Sequence, residues 1–269
     1  MIKWVFTDMD GTLLDDEGRV TPANAALIAQ SRLPLTLVSA RSPREMVEAI
    51  DVLQLTGPQI AFNGGMIFEP TATGKRILTE TAMASDTAQA IIGAVLAKFP
   101  STSVSYYDGE DWYAERMDEN IEGEIRVSRL HPTIQPYQEV FATGERHILK
   151  IMLINFDEAV MAKMLAFFAE ADYPGVSAQH SGSAWLEITS QDAKKSRGIA
   201  YLMAKENLKR EETAAFGDGG NDLPMLNMVG VPIVMGNAAP EIKQVGKFIT
   251  KPNTENGVGY GMVTYLNQN

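Results

Sequence analysis

Asp8-Met9-Asp10-Gly11-Thr12-Leu13-Leu14 sets two carboxylates two residues apart, directly after a short apolar and β-branched run over residues 2–7. Such a run reads as a buried strand. In open parallel sheets the ligand crevice lies at the carboxyl ends of the strands. Both acids can face that crevice, with Gly11 allowing a sharp turn. One carboxylate can then act as a nucleophile and the other as a proton shuttle. An Asp-Gly turn with solvated acids explains the same residues, and for an isolated D-x-D-G it is the better explanation.

Gly217-Asp218-Gly219-Gly220-Asn221-Asp222 changes the balance. It too follows an expected strand, over residues 213–216, and it brings two more carboxylates and a carboxamide to the same sheet edge. Four acids gathered there repel one another unless a cation neutralises them. Hard oxygen donors without His or Cys point to Mg²⁺. A Gly-rich strand-to-helix turn capped by Asn221 or Asp222 accounts for one of these acids, not for all. Ser39-Ala40-Arg41 ends a further strand. Ser39 offers a hydroxyl and nearby amides to a phosphate oxygen, or serves only as loop chemistry ahead of the Ser42 cap. Lys194-Lys195 opens a helix, where a lysine is either a point charge for a phosphoryl group or half of a solvated surface pair.

The elements that must position these residues alternate. Strands are expected over 2–7, 35–38 and 59–62, the last ending at Asn63-Gly64-Gly65. Helices begin at Thr21-Pro22 and at the capping box Ser42-Pro43-Arg44-Glu45. Strand, helix, strand, helix, strand is the grammar of a parallel sheet with crossovers. The middle of the chain reads differently. It has a hairpin around Thr71-Ala72-Thr73-Gly74, helices over 85–98 and 158–170, and strands near 103–107, 111–115, 147–155, 176–179 and 184–188. The βα rhythm returns with a helix over 194–206, the strand at 213–216, a helix over 222–228, a strand at 232–235 and a helix over 240–245. The expected fold class is therefore α/β, a Rossmann-like doubly wound parallel sheet built from residues 1–81 and 188–269. An α+β domain is inserted at 82–187.

The 269 residues carry 23 basic and 34 acidic side chains, a net charge of −11, and no cysteine. Thiolate catalysis, disulfides and cysteine-based zinc sites are thereby excluded. Without a basic run, no nucleic-acid or anionic-membrane partner is expected. Asp8 and Asp10 follow the first apolar run too soon for a signal peptide, and no stretch is long enough for a membrane helix. A cytoplasmic protein is expected, with its oligomeric state unspecified.

The four segments Asp8 to Leu14, Ser39-Ala40-Arg41, Lys195-Ser196-Arg197-Gly198-Ile199 and Gly217 to Asp222 resemble, in order and context, the four motifs of the haloacid dehalogenase-like superfamily. Ile60-Ala61-Phe62-Asn63-Gly64-Gly65, Val234-Met235-Gly236-Asn237-Ala238 and Asn256-Gly257-Val258 resemble its Cof-type sugar-phosphatase branch, whose α/β cap the insert matches in placement and size. The resemblance implies a phosphatase in which Asp8 attacks phosphorus and Asp10 protonates the leaving alkoxide, then activates water. Lys195 pairs with Asp8 and the phosphate. Ser39, with Ala40 and Arg41, holds a phosphoryl oxygen, and Asn63 and Gly64 lie near the phosphate entrance. Mg²⁺ is held by Asp8, the Asp10 carbonyl and Asp218, with Asn221 and Asp222 supporting or ligating. An acid at position 10 is what phosphatases and phosphomutases of that superfamily share. Lys195 is preferred over Lys194 because Gly198-Ile199 then falls where the pattern expects it.

The insert is expected to close over the crevice and exclude water. Its loops Tyr107-Asp108-Gly109 and Gln179-His180-Ser181-Gly182-Ser183 are candidates for substrate choice. His180 is a hydrogen-bond donor to a sugar hydroxyl or phosphate, or simply a solvated loop residue. Trp112 and Trp185 can line a sugar face or pack in the core. Met161, Met164, Phe167 and Phe168 fall at helical spacing and read as core. The leading expectation is an Mg²⁺-dependent phosphatase of small phosphorylated metabolites, with sugar phosphates implied by the family it resembles. A phosphomutase on the same scaffold is the enzymatic alternative, and a phosphate- or Mg²⁺-responsive binding module the non-enzymatic one.

Overall fold

The computed structural model describes residues 1–171, 173–181 (Ser181 by its backbone alone) and 183–266. From the N-terminus, β1 (Trp4–Thr7), α1 (Pro22–Ser31), β2 (Leu35–Leu37), α2 (Pro43–Val52) and β3 (Gln59–Ala61) alternate strand and helix. Both helix starts are encoded locally. The Thr21 hydroxyl accepts the Asn24 amide at 3.0 Å, with Pro22 at the first helical position. Ser42 and Glu45 form a reciprocal capping box. A hairpin of β4 (Met66–Thr71) and β5 (Gly74–Glu80) continues antiparallel from β3.

The middle of the chain runs α3 (Ser85–Lys98), β6 (Ser103–Tyr107), β7 (Trp112–Ala114), α4 (Glu119–Ser128), β8 (Thr133–Ile134), α5 (Tyr137–Ala142), β9 (Lys150–Ile154), α6 (Glu158–Glu170), β10 (Val176–Ser181) and β11 (Trp185–Ser190). Then follow α7 (Lys195–Lys205), β12 (Thr213–Gly217), α8 (Leu223–Leu226), β13 (Val231–Val234), α9 (Pro240–Lys243), β14 (Phe248–Ile249) and α10 (Gly257–Gly261). The chain divides into two compact units, Met1–Glu80 with Lys194–Asn269, and Thr81–Ala193. The second boundary falls after Ala193 instead of at 187. The reason is β11, which pairs with β9 and with β10 out to Ser190 and so belongs wholly to the second unit.

In the first unit five strands lie in the order β14-β13-β12-β1-β2, every neighbouring pair parallel. The strands are short; β1, β2 and β12 are buried on both faces, as in parallel sheets, while the edge strand β14 is partly exposed. Phe6, Val38, Ala215 and Val234 pack with Ile199, Leu202, Met225 and Leu226 in one apolar cluster. Strand order reverses beside β1. The chain steps from β1 to β2 on one side, and β12, β13 and β14 fill the other. That reversal defines a switch point at the carboxyl ends of β1 and β12.

In the second unit six strands lie in the order β10-β11-β9-β6-β7-β8, with only β7 and β8 parallel. Alternate residues Val104, Tyr106, Tyr113, Ile151, Leu153, Leu186 and Ile188 pack against α3, α5 and α6. Met161 and Met164 are in that core and Phe168 packs partly against it. Elements α4, β8 and α5 fall in a stretch to which the sequence assigns nothing. Their signal is faint, since α4 has Gly123 in its middle and buries only Ile121.

Candidate active site

Residues leaving the carboxyl ends of β1, β2, β3 and β12 converge with the start of α7. The Asp8 amide donates to the Phe216 carbonyl at 3.0 Å, which ties the first residue past β1 to β12. The chain then makes an irregular turn. Asp10 is extended, and Gly11 is left-handed with φ of 73°. A Cβ on Gly11 would lie 2.6 Å from Asp218 Oδ2, so the turn and the second acidic loop touch where only glycine fits. Thr12 Oγ1 donates to Asp218 Oδ1 at 2.6 Å. Residue type and spacing assign Thr12 no role of its own, although it lies within the Asp8–Leu14 motif.

Asp222 does two things at once. Its Oδ2 accepts the Asp218 and Gly219 amides at 3.0 and 3.1 Å, which fixes the turn, and its Oδ1 accepts from Lys195 Nζ at 2.8 Å. Asp222 stands at the N-cap position of α8 but makes no side-chain cap bond to that helix; its carboxylate fixes the preceding turn and pairs with Lys195 instead. Lys195 also donates to Asp8 Oδ1. All three side chains are nearly inaccessible, while Lys194 is exposed. Local helix physics disfavours a cation at a helix N-terminus, where α7 begins. Two buried carboxylates override that preference.

A second loop positions α7. Phe62, Asn63 and Gly64 all have positive φ, 50°, 53° and 99°. Two of the three are not glycine, so this is stored strain of the kind that clusters at functional sites. A Cβ on Gly64 would strike the Lys194 carbonyl. The Asn63 amide donates to the Ser39 carbonyl at 2.8 Å, and Asn63 Oδ1 is buried without a hydrogen-bond partner. Ser39 is fully buried, and its Oγ accepts the Arg41 amide at 3.1 Å, leaving its proton to donate.

Asp10 departs from the expected gathering of four acids. Its carboxylate is held by Arg41 through Nε at 3.0 Å and Nη2 at 2.6 Å. That bidentate fork turns the Asp10 side chain away from the other three acids and leaves it 59% exposed. Arg41, expected among the phosphate-binding residues, is thus engaged by Asp10 in this state. Ala40 is half-buried beside it, and Asn221 is exposed. His180 belongs to the second unit, on β10, with Nε2 3.3 Å from the Ser183 carbonyl. Gly182 and the side chain of Ser181, in the same proposed specificity loop, lie outside the described residues. Trp112 is buried and stacks on Tyr107. Trp185 is half-buried and donates Nε1 to Glu124 Oε1 at 2.8 Å.

One carboxylate oxygen from each of Asp8, Asp218 and Asp222 lies within 4.8 Å of the others. Burial pushes the Asp8 carboxyl up to about 8. Lys195 opposes this, and the neighbouring Asp222 charge adds to it. Burial raises Asp218 as well, against the Thr12 hydrogen bond. For Lys195 burial works toward the neutral amine, but Asp8 and Asp222 together outweigh it and hold the ammonium above its ordinary range. With all three acids ionised, the one ammonium leaves an excess of two negative charges. An all-oxygen donor set with that excess fits a divalent hard cation such as Mg²⁺.

The family model for haloacid dehalogenase-like hydrolases matches residues 5–262. A putative phosphatase of Haemophilus influenzae is 30% identical over 262 residues, covering 96% of each chain. A 5-amino-6-(5-phospho-D-ribitylamino)uracil phosphatase of Bacillus subtilis is 30% identical over 285 residues, again covering 96% of each. The crystal structure of a Thermotoga maritima protein superposes with a TM-score of 0.85 at 24% identity, covering 98% of this chain and 97% of the other. Among the described residues, no helix is long and apolar enough to cross a membrane.

Proposed function

Because the chain belongs to the haloacid dehalogenase-like hydrolases and is a phosphatase of that family, we propose that it hydrolyses small phosphorylated metabolites, sugar phosphates foremost, with Mg²⁺ and through a phosphorylated Asp8. The observation that carries this reading is the buried Asp8–Lys195–Asp222 cluster at the switch point, with Asp10 two residues from Asp8. The named activity of the Bacillus relative, on a phosphorylated ribityl chain, supports a polyhydroxylated ester as substrate.

In this mechanism Asp8 Oδ attacks phosphorus, the new P–O bond forms, and the bond to the ester oxygen breaks. Asp10 swings off Arg41, takes up a proton from solvent, and gives it to the departing alkoxide as the ester bond breaks. Water then attacks the phosphorus of the aspartyl phosphate and passes a proton to Asp10. The P–O bond to Asp8 breaks, which releases inorganic phosphate and restores both carboxyl groups. Lys195 neutralises Asp8 and the incoming phosphoryl oxygens. The Ser39 hydroxyl donates to one of those oxygens, and Asn63 and Gly64 border their entrance. Asp8 and Asp218 would hold Mg²⁺ together with the Asp10 carbonyl, and Asp222 and Asn221 would support that shell. When bound, the ion supplies neutralisation of the charge on the transferring group. Phosphate esters are charged and do not cross bilayers unaided, so this reading places the enzyme in the cytoplasm with its substrates.

The test is phosphate release from para-nitrophenyl phosphate and a sugar-phosphate panel, with Mg²⁺, with EDTA, and with Asp8→Asn. Metal-dependent turnover that disappears in the variant is the expected result. Turnover that survives Asp8→Asn would overturn the reading. Turnover only after addition of a bisphosphate would favour a mutase.

A further inference from the structure

We propose that Asn237 is a positioning residue for the catalytic loop, its carboxamide tying the Gly11 carbonyl to the backbone that follows β14. This rests on the reading of Asp8–Leu14 as the catalytic loop and gives a role to the segment around Asn237, which that reading left without one.

The loop needs such a tie because its backbone is irregular. Asp10 and Gly11 leave helical geometry, so several carbonyls lack a ladder partner and must be satisfied otherwise. Met9 O accepts the Leu14 amide at 2.9 Å. Asp8 O accepts the Thr7 hydroxyl at 2.9 Å, and three further acceptors are taken by asparagines. Asn237 Nδ2 donates to Gly11 O at 2.8 Å, Asn24 Nδ2 to Leu13 O at 3.1 Å, and Asn253 Nδ2 to Leu14 O at 2.9 Å. Two of these amides also accept from the C-terminal backbone, Asn237 Oδ1 from the Asn253 amide at 3.0 Å and Asn24 Oδ1 from the Gly259 amide at 2.8 Å. Three carboxamides therefore clasp residues 11–14 to residues 253–259.

Asn24 and Asn253 are buried and serve the fold as well, whereas Asn237 is exposed. Its bond fixes the orientation of the Gly11–Thr12 peptide. On one side of that peptide stands Asp10. On the other stands Thr12, whose hydroxyl holds Asp218. A rotation at Gly11 moves both at once. Losing the Asn237 tie should thus disturb the chemical step more than substrate capture, since misplacement of about 1 Å costs up to about 100-fold in rate.

The variants are Asn237→Ala and Asn237→Asp. Aspartate keeps the acceptor for the Asn253 amide but sets a carboxylate against the Gly11 carbonyl, so a space-filling role would tolerate it and a donor role would not. With para-nitrophenyl phosphate, kcat should fall about ten-fold or more in both variants while KM stays within about two-fold. In metal-free protein, amide hydrogen exchange of a peptide spanning residues 9–14 should accelerate in both. Asn155 is a control of the same residue type. It is buried in the second unit and donates Nδ2 to Thr102 Oγ1 at 3.0 Å. Asn155→Ala should lower thermal stability without moving kcat or the loop's exchange. Unchanged loop exchange, or kcat within about two-fold of the parent in either Asn237 variant, would overturn the proposal. The exchange readout needs no turnover, so failure of the clasp and failure of the phosphatase reading are told apart.

Discussion

Lys195→Met removes the one ammonium that neutralises two buried carboxylates and replaces it with an apolar chain of similar length. Asp8 is 6% and Asp222 1% exposed. Neither can recover its lost partner from solvent without opening the site. Breaking a buried ion pair by deleting one member costs about 3–5 kcal/mol. In a unit of about 150 residues each kcal/mol moves the melting temperature by about 2–4 °C, so the metal-free variant should melt about 6–20 °C lower. The loss should be largest at pH 8.5, because at lower pH Asp8 escapes by taking up a proton. Removing a preorganised charge from the reacting group should also lower kcat about 100- to 1000-fold. The double variant Lys195→Met, Asp222→Asn separates the two effects. Deleting the second buried charge should restore much of the stability and none of the activity. Calorimetry in EDTA and phosphate-release kinetics in Mg²⁺ provide both readouts. A Lys195→Met protein that melts with the parent at pH 8.5 would refute the argument that this lysine balances the site.

Gly11→Ala should destabilise the protein by about 1 kcal/mol or more, since alanine disfavours a positive φ, and should impair turnover because its Cβ would meet Asp218; urea unfolding and kinetics check both. Metal-free stability should fall as pH rises. The folded Asp8 carboxyl, raised to about 8, keeps a proton that the unfolded chain releases near its ordinary value of 3.8. Its stabilising contribution is full below that ordinary value and is lost as pH passes through about 8. Lys195 is protonated in both states over this window and adds no slope. Melting in EDTA from pH 5.5 to 8.5 should show the decline, and Asp8→Asn should flatten it. At about 100 times its dissociation constant, Mg²⁺ should stabilise the protein by about 2.7 kcal/mol, which a melting series in Mg²⁺ reads directly.

The α/β class and a crevice at the strands' carboxyl ends were legible because β1, β2 and β12 are short apolar runs that stop at acidic or polar loops; the switch point itself follows from the strand order. The helix starts at Thr21 and Ser42 were legible from residue type alone. Contacts between residues distant in sequence were not. Nothing in the spacing of Asp10 and Arg41 announces their fork, and it is this contact that removes Asp10 from the expected cluster of four acids. Nor does local pattern join Asn237 to Gly11, 226 positions apart. The choice between Lys194 and Lys195 could not be made on helix physics, which favours neither at an N-terminus. Burial of Lys195 between two acids distinguishes them in the fold. In the second unit, α4 escaped notice because it lacks an apolar stripe, whereas β9, with five consecutive buried residues, did not.

The central claim is that Asp8 carries the phosphoryl group during turnover. Rapid acid quench with a ³²P-labelled sugar phosphate and Mg²⁺, followed by peptide mapping, tests it most directly. The account predicts transient label on the peptide containing Asp8, accumulating further in Asp10→Asn if water attack is slowed more than transfer, and absent from Asp8→Asn. Hydrolysis at the parent rate by Asp8→Asn, or label on any other residue, would contradict it.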